Sequence, residues 1–88
     1  MQTLQINETV DLVISLPGSA ETDSPTYEVF DSDGNVLKSG SLEFVRDEMW
    51  KAADFTPTAF GNIVLKAANV TEHSTEKREN FYRVGGNA

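Results

Sequence analysis

Residues 26–42 read TYEVFDSDGNVLKSGSL, and this stretch decides the fold. Tyr27, Val29 and Phe30 are strong strand formers. Asp33-Gly34 follows as a tight turn, because glycine reaches positive φ at little cost, and Val36 to Leu42 returns alongside. The segment is a β-hairpin, and the same signature continues outward on both sides. Toward the N-terminus, Val10, Leu12, Ile14 and Leu16 alternate with Asp11, Val13 and Ser15, a strand with one face to a core, stopped by Pro17-Gly18. A shorter lead-in spans Thr3 to Ile6. Toward the C-terminus, strands are expected at Glu43 to Val45, Trp50 to Phe55, Asn62 to Ala67 and Phe81 to Val84. In Trp50 to Phe55 the alternation slips by one residue before Phe55, which predicts a bulge. Pro57 breaks the ladder and Gly61 opens the next strand. Arg46 to Ala53 could instead form a short helix, since Met49, Trp50 and Ala53 would share one face, but it is under the length a helix ordinarily needs.

About seven short strands within 88 residues leave room for one core and predict an all-β, antiparallel, immunoglobulin-like β-sandwich over residues 1–84, with a small barrel as the alternative and 85–88 as a flexible tail. Trp50, Phe55, Tyr27, Phe44 and Phe81 are expected between the sheets; Phe30 and Phe60 are open to either environment.

Composition excludes several chemistries. Without cysteine there are no disulfides, thiolate zinc sites or cysteine nucleophiles. A single histidine rules out imidazole-rich metal sites. The net charge of −7 repels nucleic acid and anionic membranes. The excess sits in residues 1–45, where eight acids face Lys38 alone. No stretch is apolar for long enough to form a membrane helix, and Met1 to Ile6 lacks the pattern of a leader, so cytosolic synthesis and residence are expected.

No catalytic residue, metal ligand or cofactor site is expected. His73 lies between Glu72 and Ser74 in a hydrophilic segment. In Asp31-Ser32-Asp33-Gly34-Asn35 the glycine comes too early for a calcium loop. The acids Asp47 with Glu48, and Glu76 with Glu79, read as solvated charge. Two polar connections, Pro17 to Pro25 and Ala68 to Asn80, fall at one pole of the expected sandwich and supply the candidate partner-binding residues: Glu21 and Asp23 in the first, Glu72, His73, Lys77 and Arg78 in the second.

Tyr27 to Leu37 with its D-x-D-G-x turn, then Ser39 to Leu42, Trp50-Lys51-Ala52, Phe55-Thr56-Pro57 and Gly61 to Leu65 resemble the small Ig-like proteins of tailed-phage virions. That resemblance implies a structural, non-enzymatic role in a particle assembled in the cytoplasm, decorating the capsid or sitting at the head-tail neck. It implies capsid, portal or tail proteins as partners and a homo-oligomer on the particle, contacted through loops and sheet edges. The alternative is a carbohydrate- or receptor-binding module of a tail or cell-surface adhesin, for which Phe30, Phe60 and Tyr82 are the candidate aromatics.

Overall fold

The computed structural model describes residues 2–86. Eight strands run in order: β1 (Gln2–Gln5), β2 (Val10–Ser15), β3 (Thr26–Asp31), β4 (Val36–Ser41), β5 (Glu43–Arg46), β6 (Met49–Phe55), β7 (Gly61–Val70) and β8 (Thr75–Gly85). They form a five-stranded sheet, β1-β8-β7-β3-β4, packed on a three-stranded sheet, β2-β6-β5. The all-β sandwich is as expected, with one addition: β1 joins the larger sheet parallel to β8, Gln2 opposite Tyr82 and Gln5 opposite Gly85. Gly85 therefore ends a strand and Gly86 follows it, exposed and outside the sheet, while the rest of the expected tail, 87–88, lies outside the described residues.

Period-2 alternation builds the core. Leu12 and Ile14 of β2, Tyr27 and Val29 of β3, Trp50, Ala52 and Phe55 of β6, Ile63, Leu65 and Ala67 of β7, and Tyr82 and Val84 of β8 all point inward and are buried. Trp50 is the largest of these side chains; Phe44 meets it edge-on at 5.2 Å, and its indole N–H donates to Ser19 Oγ at 2.9 Å. Tyr82 is 3% exposed and Phe81 55%, which reverses the expected burial of Phe81. Parity explains the reversal: Tyr82 shares a face with Val84, and Phe81 shares one with Glu79 and Arg83.

The bulge expected before Phe55 is present. Val10 pairs with Phe55 while Leu12 pairs with Ala52, and Asp54 takes a φ of 57° with its N–H donating to Asp11 Oδ1. At the β3–β4 turn the Asp31 carboxylate accepts from the N–H groups of Asp33 and Asn35, both at 2.9 Å, and Gly34 has a φ of 86°. These bonds, first that of the Asn35 backbone, hold the Asp31 carboxyl below its ordinary range. Where a helix was the alternative, Arg46 pairs directly with Met49, and Asp47 and Glu48 form a two-residue turn with φ of 42° and 67°. That turn is held by the Leu16 N–H, which donates to Glu48 O at 2.8 Å, and by the Gly18 N–H on the Glu48 carboxylate.

Candidate recognition edge

The polar segment Ala68 to Asn80, expected as one long loop, is for the most part strand. β7 continues to Val70 and β8 begins at Thr75, in an unbroken antiparallel register from Gly61 opposite Val84 to Val70 opposite Thr75. The connection is only Thr71 to Ser74. The Thr71 N–H donates to Ser74 O at 2.9 Å and the Ser74 N–H to Thr71 Oγ1 at 3.2 Å. Lys77 and Arg78 therefore lie on a strand, which corrects their placement in a loop. The segment looks like a loop because it runs past the smaller sheet, so its inward positions, Glu76, Arg78 and Asn80, have no apolar layer to face.

The turn bond fixes the direction of every backbone group along β8. In an antiparallel ladder, hydrogen-bonded and non-hydrogen-bonded pairs alternate. Since Thr71 and Ser74 form a hydrogen-bonded pair, Glu76, Arg78 and Asn80 bond to β7, whereas Thr75, Lys77, Glu79 and Phe81 point their N–H and C=O away from it. The Ile6 N–H donating to Gly85 O at 2.9 Å shows the same outward parity at the other end. Beside Tyr82 to Gly85 that outer lane is filled by β1. Among the described residues, no strand occupies the lane beside Thr75 to Glu79.

Side chains along this edge alternate in face, and each face carries one acid and one base. On the inner face Arg78 Nε donates to Glu76 Oε1 at 2.8 Å, and Asn80 Nδ2 donates to the Val13 carbonyl of β2 at 3.1 Å, tying the edge to the smaller sheet. On the outer face Lys77 and Glu79 stand opposite Ala68 and Lys66 of β7, and the Lys66 ammonium lies 5.2 Å from the centre of the Phe30 ring. Where β1 begins, Gln2, Val13 and Glu79 to Tyr82 line a shallow groove of about 540 Å³ that includes the exposed Phe81 ring. At the opposite pole, Asp31, Asp33, Phe60, Asn62 and the Phe55–Thr58 corner surround a second concavity of about 370 Å³.

Of the residues singled out in the sequence, Asp23 is brought to the arm formed by Ala68–Val70 of β7 and Thr75–Glu79 of β8: its carboxylate accepts from Asn69 Nδ2 at 3.0 Å and from the Ala20 N–H at 2.9 Å. The Ala20 bond first, then Asn69, lowers the Asp23 pKa. The two polar connections thus share one pole, as expected. Glu21 is exposed; Glu72 and His73 occupy the tip of the arm, His73 Nε2 standing 3.9 Å from Glu72 Oε2 in solvent. Sequence reasoning passed over Glu76 and Glu79 as partner-binding groups, although their alternation with Lys77 and Arg78 was the available signal. Of the three aromatics considered for a sugar site, Phe60 is exposed, Phe30 half-buried and Tyr82 in the core.

No family model matches the sequence, and no curated protein matches it. Among solved structures, CopC from Methylosinus trichosporium OB3b superposes with a TM-score of 0.70, covering 99% of this chain and 85% of CopC at 11% identity. At that identity the likeness is one of fold, a β-sandwich. It also corrects the expected virion role: the structural likeness found is to CopC, and nothing ties the chain to a phage particle. Among the described residues no helix is long and apolar enough to cross a membrane.

Proposed function

We propose that this chain is a non-catalytic protein-recognition sandwich that binds by accepting a partner strand at the β8 edge. The observation that carries the reading is the lane beside Thr75 to Glu79, unoccupied among the described residues, where outward N–H and C=O groups lie on a stretch without register shift, proline or glycine. Strand addition satisfies such groups, main-chain bonds giving affinity and alternate side chains giving selectivity.

A metal-handling role enters through the likeness to CopC, a copper-binding protein. The donors of this chain do not fit it. Its one histidine sits at the solvated tip of the arm beside a single carboxylate, there is no cysteine, and among the described residues no three His, Asp or Glu side chains converge. Among the described residues, the three or four converging ligands of a transition-metal site are not assembled.

The test is a photo-crosslinking residue placed at Lys77, on the β8 edge, and separately at Ser39 in β4, on the far edge of the same sheet, with the chain expressed in its native cell. Adducts are expected from position 77 and not from 39, and they should vanish when Glu79→Pro is added. Equal adducts from both positions, or none from 77, would overturn edge recognition.

A further inference from the structure

We infer that the strand received at this edge is the same edge of a second copy of the chain, paired antiparallel about a two-fold axis at Lys77. The inference rests on edge recognition and adds the occupant and its register.

Opposed residues of antiparallel strands point to the same face, so a symmetric pair can be centred only on one residue facing its own copy. Five centres are available, Thr75 to Glu79, and one at Thr75 pairs only the first outward residue and leaves the groups of Glu79 without partners. The neighbouring strand, the turn and the pairing of outward groups choose between them. The lane from Tyr82 onward belongs to β1, and the Thr71–Ser74 bond keeps Ser74 in line with the strand, so an incoming copy must end before it meets Gln2. A centre at Arg78 puts the copy's Ser74 beside Tyr82, the place of Gln2, and a centre at Glu79 drives it deeper into β1. A centre at Glu76 leaves the outward groups of Glu79 without partners and sets Glu76 against Glu76.

A centre at Lys77 avoids the overlap with β1 and the unpaired Glu79; it sets Lys77 against Lys77, a like pair that falls in the wider hydrogen-bonded position. The copy's Ser74 falls opposite Asn80, just short of β1, and its turn meets the groove of Gln2, Val13 and Phe81, where Phe81 is 55% exposed and Val13 42%. Thr75 bonds Glu79 of the copy and Lys77 bonds Lys77, so the outward groups of all three residues are satisfied in both chains. Glu76 and Arg78 then face each other across the junction twice, in the non-hydrogen-bonded positions where opposed side chains come closest. The Lys77 pair has Glu79 of each copy diagonal to it on the same face. Glu76, Lys77, Arg78 and Glu79 sum to zero, so the junction is neutral in a chain of net charge −7. Charged side chains, lysine above all, are one of the means by which an edge is kept unpaired; here they are of both signs, and in this register Glu76 and Arg78 complement each other.

The lack of native cysteine makes register directly readable. In a hydrogen-bonded antiparallel pair the Cα atoms lie about 5.5 Å apart, within disulfide range. Lys77→Cys is expected to oxidise to a covalent dimer. Arg78→Cys alone should not, while a mixture of Arg78→Cys and Glu76→Cys chains should cross-link to each other. In sedimentation, the unmodified chain should show a concentration-dependent dimer. Glu79→Pro, which removes an outward N–H without touching the β7 ladder, should be monomeric with an unchanged strand spectrum. Glu76→Arg should weaken the dimer about tenfold, and Glu76→Arg with Arg78→Glu should restore it. A monomer at all concentrations with no Lys77→Cys cross-link overturns the inference, as does Arg78→Cys cross-linking as readily as Lys77→Cys. Either result leaves edge recognition itself to the photo-crosslinking experiment, where an adduct with a different protein would support it.

Discussion

Lys38→Met tests how the sandwich closes the side away from β8. β5 covers β6 only as far as Lys51, so the backbone beyond has no neighbour on that side. The Lys38 ammonium reaches in from β4 and donates to the carbonyls of Ala53 at 3.0 Å and Asp54 at 2.8 Å. Hydrogen bonds from a charged donor contribute roughly 1.5–3 kcal/mol each when water is excluded. Here the Asp54 carbonyl is exposed and regains water once the ammonium is gone, and the released side chain recovers about 1–2 kcal/mol of rotamer entropy. The net loss is about 1–2 kcal/mol, borne chiefly by the half-buried Ala53 carbonyl. Methionine keeps the apolar stem in place, so little packing changes with it. For a domain of this size that corresponds to a fall in Tm of about 5–15 °C, read by circular dichroism, with an unchanged urea m-value. A fall of less than about 0.3 kcal/mol would refute the view that Lys38 completes the β6 backbone.

Trp50→Ala should cost about 3–5 kcal/mol, a large share of the stability of so small a domain, while Ser19→Ala, which removes only the indole acceptor, should cost about 1 kcal/mol; urea titrations followed by circular dichroism separate the two. Because the folded pKa of Asp31 lies below its ordinary value near 3.8, its contribution is present above that pH and is lost as pH falls through the folded pKa. Between about pH 4 and 2 the Tm of the unmodified chain should therefore fall more steeply than that of Asp31→Asn. Copper(II) added to the chain should leave the Tm unchanged at micromolar concentration, and a stabilisation abolished by His73→Ala would contradict the reading of the donor set.

The parts of the fold legible in the sequence are those where a strand has one buried face. Val10 to Leu16, Tyr27 to Val29 and Ile63 to Ala67 alternate cleanly, and the slip before Phe55 marked a real bulge because Phe55 and Ala52 both had to reach the core. The arm was illegible for the converse reason. Past the smaller sheet neither face of Thr75 to Glu79 is buried, so no period separates it from a polar loop. Phe81 misled because it was assigned by residue type; set beside Tyr82, Arg83 and Val84, its parity places it with the charged face. The Asp47-Glu48 turn carries no glycine or asparagine, and its positive φ values are imposed by the tertiary bonds to Leu16 and Gly18. Of the recognition edge, Lys77 and Arg78 were named, but only the register reveals that their backbone faces an empty lane.

The two sides of the larger sheet receive opposite treatment, and the contrast bears on function. At β4 a lysine is turned inward and Leu37 is squeezed out of the β3 pairing between Val36 and Lys38. Those are the devices by which an edge is kept from pairing. At β8 the ladder to β7 runs without a register shift through all ten pairs, the edge charges are of both signs, and the inner face is anchored to β2 by Asn80. The proposed edge recognition draws on that contrast: a register shift and an inward lysine at β4, an unshifted ladder at β8.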